Sequence, residues 1–237
     1  MGSAGTDVQS AEDSAGPTPG DDPEQAIAGN RRLLIAFAAI GVVVLVVGLV
    51  VGTRSRTAPS DWAGTVLERP QEKPDLVLTD TSGRPYDLRA ETEGVMTLLM
   101  FGYTNCPDFC PISLSTLSAA MEDLDLTTGR GLRMVFVTVD PARDTPEALR
   151  SYLDRFNVDF VGLTGTPEQV AAAQRAAGVP PAADDPPGED GDYTVGHATQ
   201  MIAYQADGTA RIVYPFGTRR TDWNRDLPRL LEGERPT

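Results

Sequence analysis

The 237-residue chain has few of the side chains from which metal and disulfide scaffolds are usually built, with two cysteines and one histidine, and it has a single lysine, Lys73. With so few sulfur and imidazole ligands, a structural zinc site with four Cys and His ligands cannot form within one chain. For the same reason, no disulfide framework beyond a single bond is possible. Acidic residues outnumber basic ones by 34 to 20, which gives a net charge of −14. A chain this acidic lacks the basic face that phosphate binding requires, so we exclude nucleic acid as a partner.

The amino-terminal quarter of the chain contains two contrasting segments. Residues 1–30 carry no lysine or arginine and six acids among Gly, Ser, Ala and Pro, a composition that predicts a disordered tail because it cannot bury enough apolar surface. Within residues 31–54 lies the uncharged run Leu33–Gly52, long enough as a helix to cross the roughly 30 Å hydrocarbon core of a bilayer. A cleaved signal peptide would instead begin with a short basic segment and have a shorter apolar core. We therefore predict a retained transmembrane anchor with one span, although two arginines on each side of it leave its orientation undecided.

Beyond a linker predicted over residues 55–74, residues 75–237 alternate between strand and helix patterns. Apolar runs predict strands covered on both faces, and Thr-Pro-Glu at residues 145–147 and 166–168 predicts two helix starts. The predicted order is a hairpin (76–78, 86–88), strands at 95–103, 132–139 and 158–163 alternating with helices at 112–124, 146–156 and 166–177, a closing hairpin (199–204, 209–214) and a helix at 221–231. Residues 180–193 are predicted to be a loop, and Pro228 is expected to shorten or kink the last helix. This order predicts an α/β domain with a thioredoxin-like layout and an N-terminal β-hairpin.

Both cysteines lie in the segment YTNCPDFCP, between a predicted buried strand and a predicted helix. A strand-to-helix junction places Cys106 and Cys110 at the carboxyl edge of the sheet, where ligands bind in open α/β folds. The amides of the following helix favour a thiolate there, and the four-residue spacing lets the sulfurs form a disulfide or bind one ion. If His197 reaches them, two soft thiolates and one imidazole form a three-coordinate set suited to Cu(I). Two plain buried cysteines or a purely structural disulfide remain alternatives.

Two acidic residues follow the second predicted buried strand, at the same expected edge of the sheet. Asp140 and Asp144, in the segment DPARD, are candidates for carboxylates that orient a metal ligand or the cysteine loop. The alternative is a capped loop that only supports the next helix.

Taken together, TNCPDFCP, VDPARDTPE and YTVGHATQMIAY resemble the SCO/SenC family over residues 74–231. The resemblance implies a membrane-anchored, thioredoxin-fold copper protein that assists assembly of the binuclear copper (CuA) centre of cytochrome c oxidase. It further implies that Cys106, Cys110 and His197 bind copper, that the two cysteines also form a redox disulfide, and that Asp140 and Asp144 flank the site. It places the globular domain outside the cell membrane, with the N-terminus in the cytoplasm.

The sequence departs from the family pattern immediately before the histidine. Where many relatives have an acid, this chain has Gly196. A carboxylate near the site is therefore lost, and backbone freedom is expected in its place.

Three functions are compatible with these residues. The first is a copper chaperone that passes Cu(I) to the copper-bearing oxidase subunit by ligand exchange, with Cu(II) binding left open. The second is a thiol-disulfide reductase that keeps the acceptor cysteines reduced, although its CxxxC spacing differs from the CxxC redox motif. The third, a thiol peroxidase, is disfavoured because the signature PxxxTxxC is absent: Leu99 and Tyr103 precede Cys106, and Tyr103 and Pro107 precede Cys110. We predict a binding and transfer protein rather than an enzyme.

Overall fold

The computed structural model describes residues 37–43, 45, 61–126, 131–184 and 193–236. The disordered tail predicted over residues 1–30 lies outside the described residues, as does most of the predicted anchor; the described parts of the anchor are helical. Among the described residues, no helix combines the length and the apolar character needed to cross a membrane. The chain divides into two units after Ala58, and the second unit, Pro59–Thr237, contains all the elements below.

An eight-stranded mixed sheet forms the centre of the second unit. In chain order its strands are β1 (Thr65–Glu72), β2 (Val77–Asp80), β3 (Pro85–Asp87), β4 (Met96–Gly102), β5 (Leu132–Thr138), β6 (Val161–Thr164), β9 (Met201–Tyr204) and β10 (Thr209–Tyr214). Their order across the sheet is β1-β10-β9-β4-β5-β6-β2-β3. A separate pair, β7 (Ala183–Asp184) and β8 (Val195–Gly196), lies outside this sheet.

Three of the five helices begin within one residue of their predicted starts, one begins three residues earlier than predicted, and the short helix after β3 was not predicted. The helices are α1 (Leu88–Glu91), α2 (Phe109–Asp123), α3 (Pro146–Leu153), α4 (Pro167–Ala176) and α5 (Arg220–Leu231). The side chains of Thr145 and Thr166 accept hydrogen bonds from the first turns of α3 and α4, so each helix has one of its unpaired N–H groups satisfied at the predicted cap. Helices α2 and α5 pack against each other, and Arg220 Nε donates to Asp123 Oδ2 across this contact at 2.6 Å.

The α/β prediction is confirmed, including both hairpins. Strands β2 and β3 pair antiparallel, as do β9 and β10. Gly208 in the second hairpin turn has φ +77°, a conformation that glycine adopts without the steric cost of a side chain. All seven residues of β4 are buried, as expected for a strand covered on both faces.

Three local predictions are wrong. Residues 65–72, expected in the linker, form β1, an edge strand with a register shift between Val66 and Gln71. Edge strands with bulges tolerate proline and charged residues, which are the features that indicated a linker. Within the predicted loop at 180–193, Ala183–Asp184 forms β7 and pairs with β8. Pro228 does not shorten the last helix, which reaches its predicted end at Leu231.

Strand topology brings three separate segments to one edge of the sheet. Strands β4 and β5 are parallel neighbours, with Gly102 opposite Thr138, so the cysteine loop and the aspartate loop leave the sheet side by side. Strand β9 runs antiparallel to β4, with Met201 opposite Met100. The residues that precede β9 therefore reach the same edge, and His197 is among them.

Candidate metal centre

The structure brings Cys106, Cys110 and His197 together. One ligand atom from each lies within 4.8 Å of the other two, and Cys110 Sγ is 3.5 Å from His197 Nε2. The two sulfurs are not bonded to each other, so the redox disulfide stays a prediction. Because thiolates and imidazole are the ligands that soft, low-coordinate metal ions prefer, the donor set fits Cu(I).

Cys106 lies at the amino-terminal end of α2, where its sulfur accepts the backbone N–H of Cys110 at 3.4 Å. A hydrogen bond with the Cys110 thiol lowers the pKa of Cys106 to about 6, against the opposing effect of burial, and backbone N–H groups and His197 add to the lowering. A negative charge at a helix amino terminus is further favoured by the helix dipole. Cys106 is therefore the thiolate of the pair near neutral pH.

Cys110 is the more deeply placed cysteine, with no exposed surface. Its thiol serves as the donor to Cys106, and this hydrogen bond, together with burial, raises the pKa of Cys110. Its position depends on Gly102 at the end of β4, since a Cβ at Gly102 would lie 2.6 Å from the Cys110 sulfur. The sequence carries no signal for this role beyond the position of Gly102 directly before YTNC.

His197 is partly buried, and both ring nitrogens have neighbours. Its Nδ1 lies 2.9 Å from the carbonyl oxygen of Val195, which leaves Nε2 directed at the cysteines. The ring also meets Tyr103 edge to face, with centroids 5.3 Å apart. A hydrogen bond at Nδ1 fixes the orientation of an imidazole ligand.

A cavity of about 290 Å³ opens onto the cluster. Cys106 and His197 line it, whereas Cys110 does not. The rest of the lining consists of Tyr103, Pro107, Phe109, Thr194, Val195, Gly196 and Thr199. The route from solvent to the three ligands therefore passes Cys106 and His197 first.

Asp144 is fully buried and supports the cysteine loop. Its carboxylate accepts hydrogen bonds from the backbone N–H of Thr104 at 3.0 Å, from the Thr104 hydroxyl and from the Thr138 hydroxyl. Burial raises the pKa of Asp144, while these bonds oppose the rise. The carboxylate thus ties the residue two positions before Cys106 to the end of β5, although it is not one of the three clustered ligands.

Asp140 is also buried, but it faces a different set of partners. Its side chain contacts Arg143 Nε and accepts the Tyr193 hydroxyl at 2.9 Å. Asp140 therefore belongs to a network with Arg143 and Tyr193 rather than to the ligand cluster. Sequence reasoning missed both partners, because nothing in the sequence connects residue 143 with residue 193.

Gly196 does not use the backbone freedom expected of it. Its φ is not positive. An added Cβ would meet only the Ala183 carbonyl oxygen, at 3.5 Å. That is an ordinary van der Waals distance, so the position accepts a side chain.

The chain is similar to several known proteins. A protein of Stutzerimonas stutzeri that is named for copper binding is 35% identical over 184 residues, which cover 76% of this chain and 87% of that protein. Protein SenC of Rhodobacter capsulatus is 44% identical over 103 residues, covering 40% of this chain and 46% of the relative. The chain spans about half the length of the mitochondrial SCO2 homologues it matches.

Solved structures share the fold. The copper-bound ScoI of Bradyrhizobium japonicum superposes with a TM-score of 0.56 at 35% identity, covering 68% of this chain and 99% of that one. Apo Sco1 of Thermus thermophilus gives a TM-score of 0.63 at 31% identity, covering 73% and 99%. The thioredoxin-like α/β fold expected from the sequence is therefore confirmed.

A sequence profile described as SCO1/SenC matches residues 65–232, which include the cysteine loop, the aspartate loop and His197. With the fold and the relatives in agreement, the chain belongs to the SCO1/SenC family.

Proposed function

We propose that this protein binds one Cu(I) ion through Cys106, Cys110 and His197 and delivers it to the copper-bearing subunit of cytochrome c oxidase during assembly of the CuA site. The observation that carries the proposal is the convergence of two sulfurs and one imidazole nitrogen within 4.8 Å. Copper-bound structures of family members support the choice of metal. The resemblance to the family supports the role in oxidase assembly.

The donor set suits reversible binding. Three soft ligands satisfy Cu(I) at a low coordination number, which leaves a direction from which an acceptor thiolate can approach. The cavity beside Cys106 and His197 provides that direction, while Cys110 is held in the interior. We therefore expect acceptor ligands to replace Cys106 and His197 on the copper ion first, one after the other. The bond between copper and Cys110 should break last.

The test is a Cu(I) titration of the full reduced chain against a competing Cu(I) chelator. We expect one copper per chain, loss of tight binding in Cys106→Ser and Cys110→Ser, and weaker binding in His197→Ala. Met201→Leu is the matched control, because it removes a soft thioether four residues after His197 by a swap of similar volume; its affinity should equal that of the parent. Tight binding retained in either serine variant would refute the dithiolate site, and unchanged affinity in His197→Ala would remove the histidine from it.

We further propose that Leu33–Gly52 anchors the chain in the cell membrane with the copper domain outside. The length and apolar character of this run support the anchor, and the resemblance to the family supports the orientation. A membrane-impermeant thiol reagent applied to intact spheroplasts should label Cys106. Labelling that appears only after lysis would contradict the orientation.

A second candidate function, thiol-disulfide reduction, is favoured by the thiolate character of Cys106. With its pKa lowered to about 6 by the hydrogen bond with Cys110, Cys106 can attack an acceptor disulfide, forming a mixed disulfide and releasing one acceptor thiolate. Cys110, once deprotonated, then attacks the Cys106 sulfur, which releases the second acceptor thiolate and leaves the Cys106–Cys110 disulfide. Cys110→Ser should trap the mixed disulfide with a disulfide-bonded acceptor peptide; no trapped species would count against this activity.

A further inference from the structure

The segment that carries His197 has few main-chain connections to the rest of the fold. Strand β8 lies immediately before His197 and, in the part of the chain that the structure describes, pairs only with the two residues of β7. The large sheet is rejoined only at Met201. Side-chain contacts must therefore determine where the imidazole lies.

Those contacts start at Asp140, Arg143 and Tyr193, which we call the tyrosine latch. The Asp140 carboxylate contacts Arg143 Nε with one oxygen and accepts the Tyr193 hydroxyl with the other, at 2.9 Å. The guanidinium carbon of Arg143 lies 3.7 Å from the centre of the Tyr193 ring, and an Arg143 Nη2 donates to the Tyr193 carbonyl oxygen at 3.0 Å. Tyr193 is thus fixed at its hydroxyl, its ring and its backbone by two side chains of the aspartate loop.

The latch is connected to His197 by a short series of contacts. Two residues after Tyr193, the Val195 N–H donates to the Tyr103 hydroxyl at 3.3 Å, and the Val195 carbonyl oxygen lies 2.9 Å from His197 Nδ1. Tyr103 also meets the His197 ring edge to face, at 5.3 Å, and lies 5.8 Å from the Arg143 guanidinium carbon. Arg143 therefore reaches both aromatic rings that confine the histidine segment.

We propose that Arg143 and Tyr193 are positioning residues of the metal centre, which hold the segment before His197 so that its imidazole is in place beside the cysteines before copper binds. Neither residue is one of the three clustered ligands. Pre-placement raises affinity because the segment does not have to be ordered when the ion arrives. The inference rests on the proposed function, since it takes His197 as a copper ligand.

A double-mutant cycle separates this role from general stabilisation of the fold. Cu(I) affinity is measured by chelator competition on the full chain for Arg143→Gln and Tyr193→Phe, each alone and combined with His197→Ala. We expect Arg143→Gln to weaken Cu(I) binding about tenfold. This is the size of effect on the binding constant expected when one charge-assisted hydrogen bond that orders the segment is lost. Tyr193→Phe, which loses only its hydroxyl contact, should weaken it about threefold. In the His197→Ala background, both effects should fall below about twofold.

Tyr204→Phe is the matched control. The buried hydroxyl of Tyr204 has no hydrogen-bond partner in the described structure, and Tyr204 lies opposite Thr97, at the end of β9 and β4 away from the cysteine loop. Loss of this hydroxyl should leave copper affinity unchanged. Thermal unfolding of each copper-free variant shows whether the fold persists, and Arg143→Lys, which keeps the charge but not the planar fork, should restore part of the affinity.

The outcomes are distinct. If His197→Ala weakens binding but Arg143→Gln and Tyr193→Phe do not, the latch is refuted and the three-ligand site stands. If both substitutions weaken binding equally with and without His197, they act on the fold or the cysteines, and the positioning role is refuted. If His197→Ala has no effect, both the ligand assignment and the latch are wrong.

Discussion

Substitution of Gly102 by alanine should damage the metal centre from the interior of the fold. The added Cβ would lie 2.6 Å from Cys110 Sγ and 2.7 Å from Phe136 Cζ. Ordinary contacts begin near 3.4 Å, so the sulfur would have to move by roughly 0.8 Å, in a region where neither Cys110 nor Phe136 has any exposed surface.

The magnitude follows from this geometry. Overpacking of a well-packed core costs about 1–3 kcal/mol, and each kcal/mol lowers the Tm of a domain of this size by roughly 2–4 °C. Because Cys110 Sγ is 3.5 Å from His197 Nε2, the same displacement also disturbs the ligand set, which tolerates errors of only about 0.5 Å. We therefore expect Cu(I) affinity to fall at least about tenfold, a loss of roughly 1.4 kcal/mol.

Thermal unfolding of the copper-free chain and chelator competition for Cu(I) measure the two effects. Gly196→Ala is the matched control, because it adds the same methyl group one residue from His197 at a site where the nearest atom is 3.5 Å away. The control should change neither quantity appreciably. A Gly102→Ala variant with the Tm and copper affinity of the parent would refute the packing argument.

Two further predictions concern the cysteine loop. Asp144→Ala should lower the free energy of unfolding by about 3 kcal/mol, because it leaves the Thr104 N–H and the Thr138 hydroxyl buried without their acceptor. Asp144→Asn keeps an acceptor oxygen, so its free energy of unfolding, measured by chemical denaturation, should fall by less. An equal fall in both variants would show that the charge of Asp144 matters rather than its hydrogen bonds. Because its pKa is lowered to about 6, Cys106 should be alkylated by iodoacetamide at a rate that is half-maximal near pH 6 and constant above about pH 7. Peptide mass analysis should find Cys110 unmodified, and a rate that rises to pH 9 would contradict the assignment of Cys106 as the thiolate.

Much of the site was predictable because its key residues lie at places that local sequence defines. An apolar run before YTNCPDFCP and a helical pattern after it are enough to place Cys106 and Cys110 at a strand-to-helix junction, and the structure has them there. The Thr-Pro-Glu starts of α3 and α4 depend only on side-chain to backbone bonds within one turn, which explains why those helices begin where predicted.

Other features depend on contacts that no local pattern contains. Strand β1 is held by pairing with β10, far away in the sequence, and its own proline and charges argue against a strand. Helix α5 continues through Pro228, since packing against α2 outweighs an unfavourable local residue.

The donor types, two thiols and one imidazole, and the position of the cysteines between strand and helix can be read from local sequence. The approach of His197 to the Cys110 sulfur, 87 residues earlier in the chain, depends on tertiary contacts. The histidine reaches the sulfur because β9 runs antiparallel beside β4, which returns the chain to the edge that the cysteines occupy. The same holds for Gly102 and for the tyrosine latch. Their roles follow from close packing between segments distant in the chain and not from their sequence neighbours.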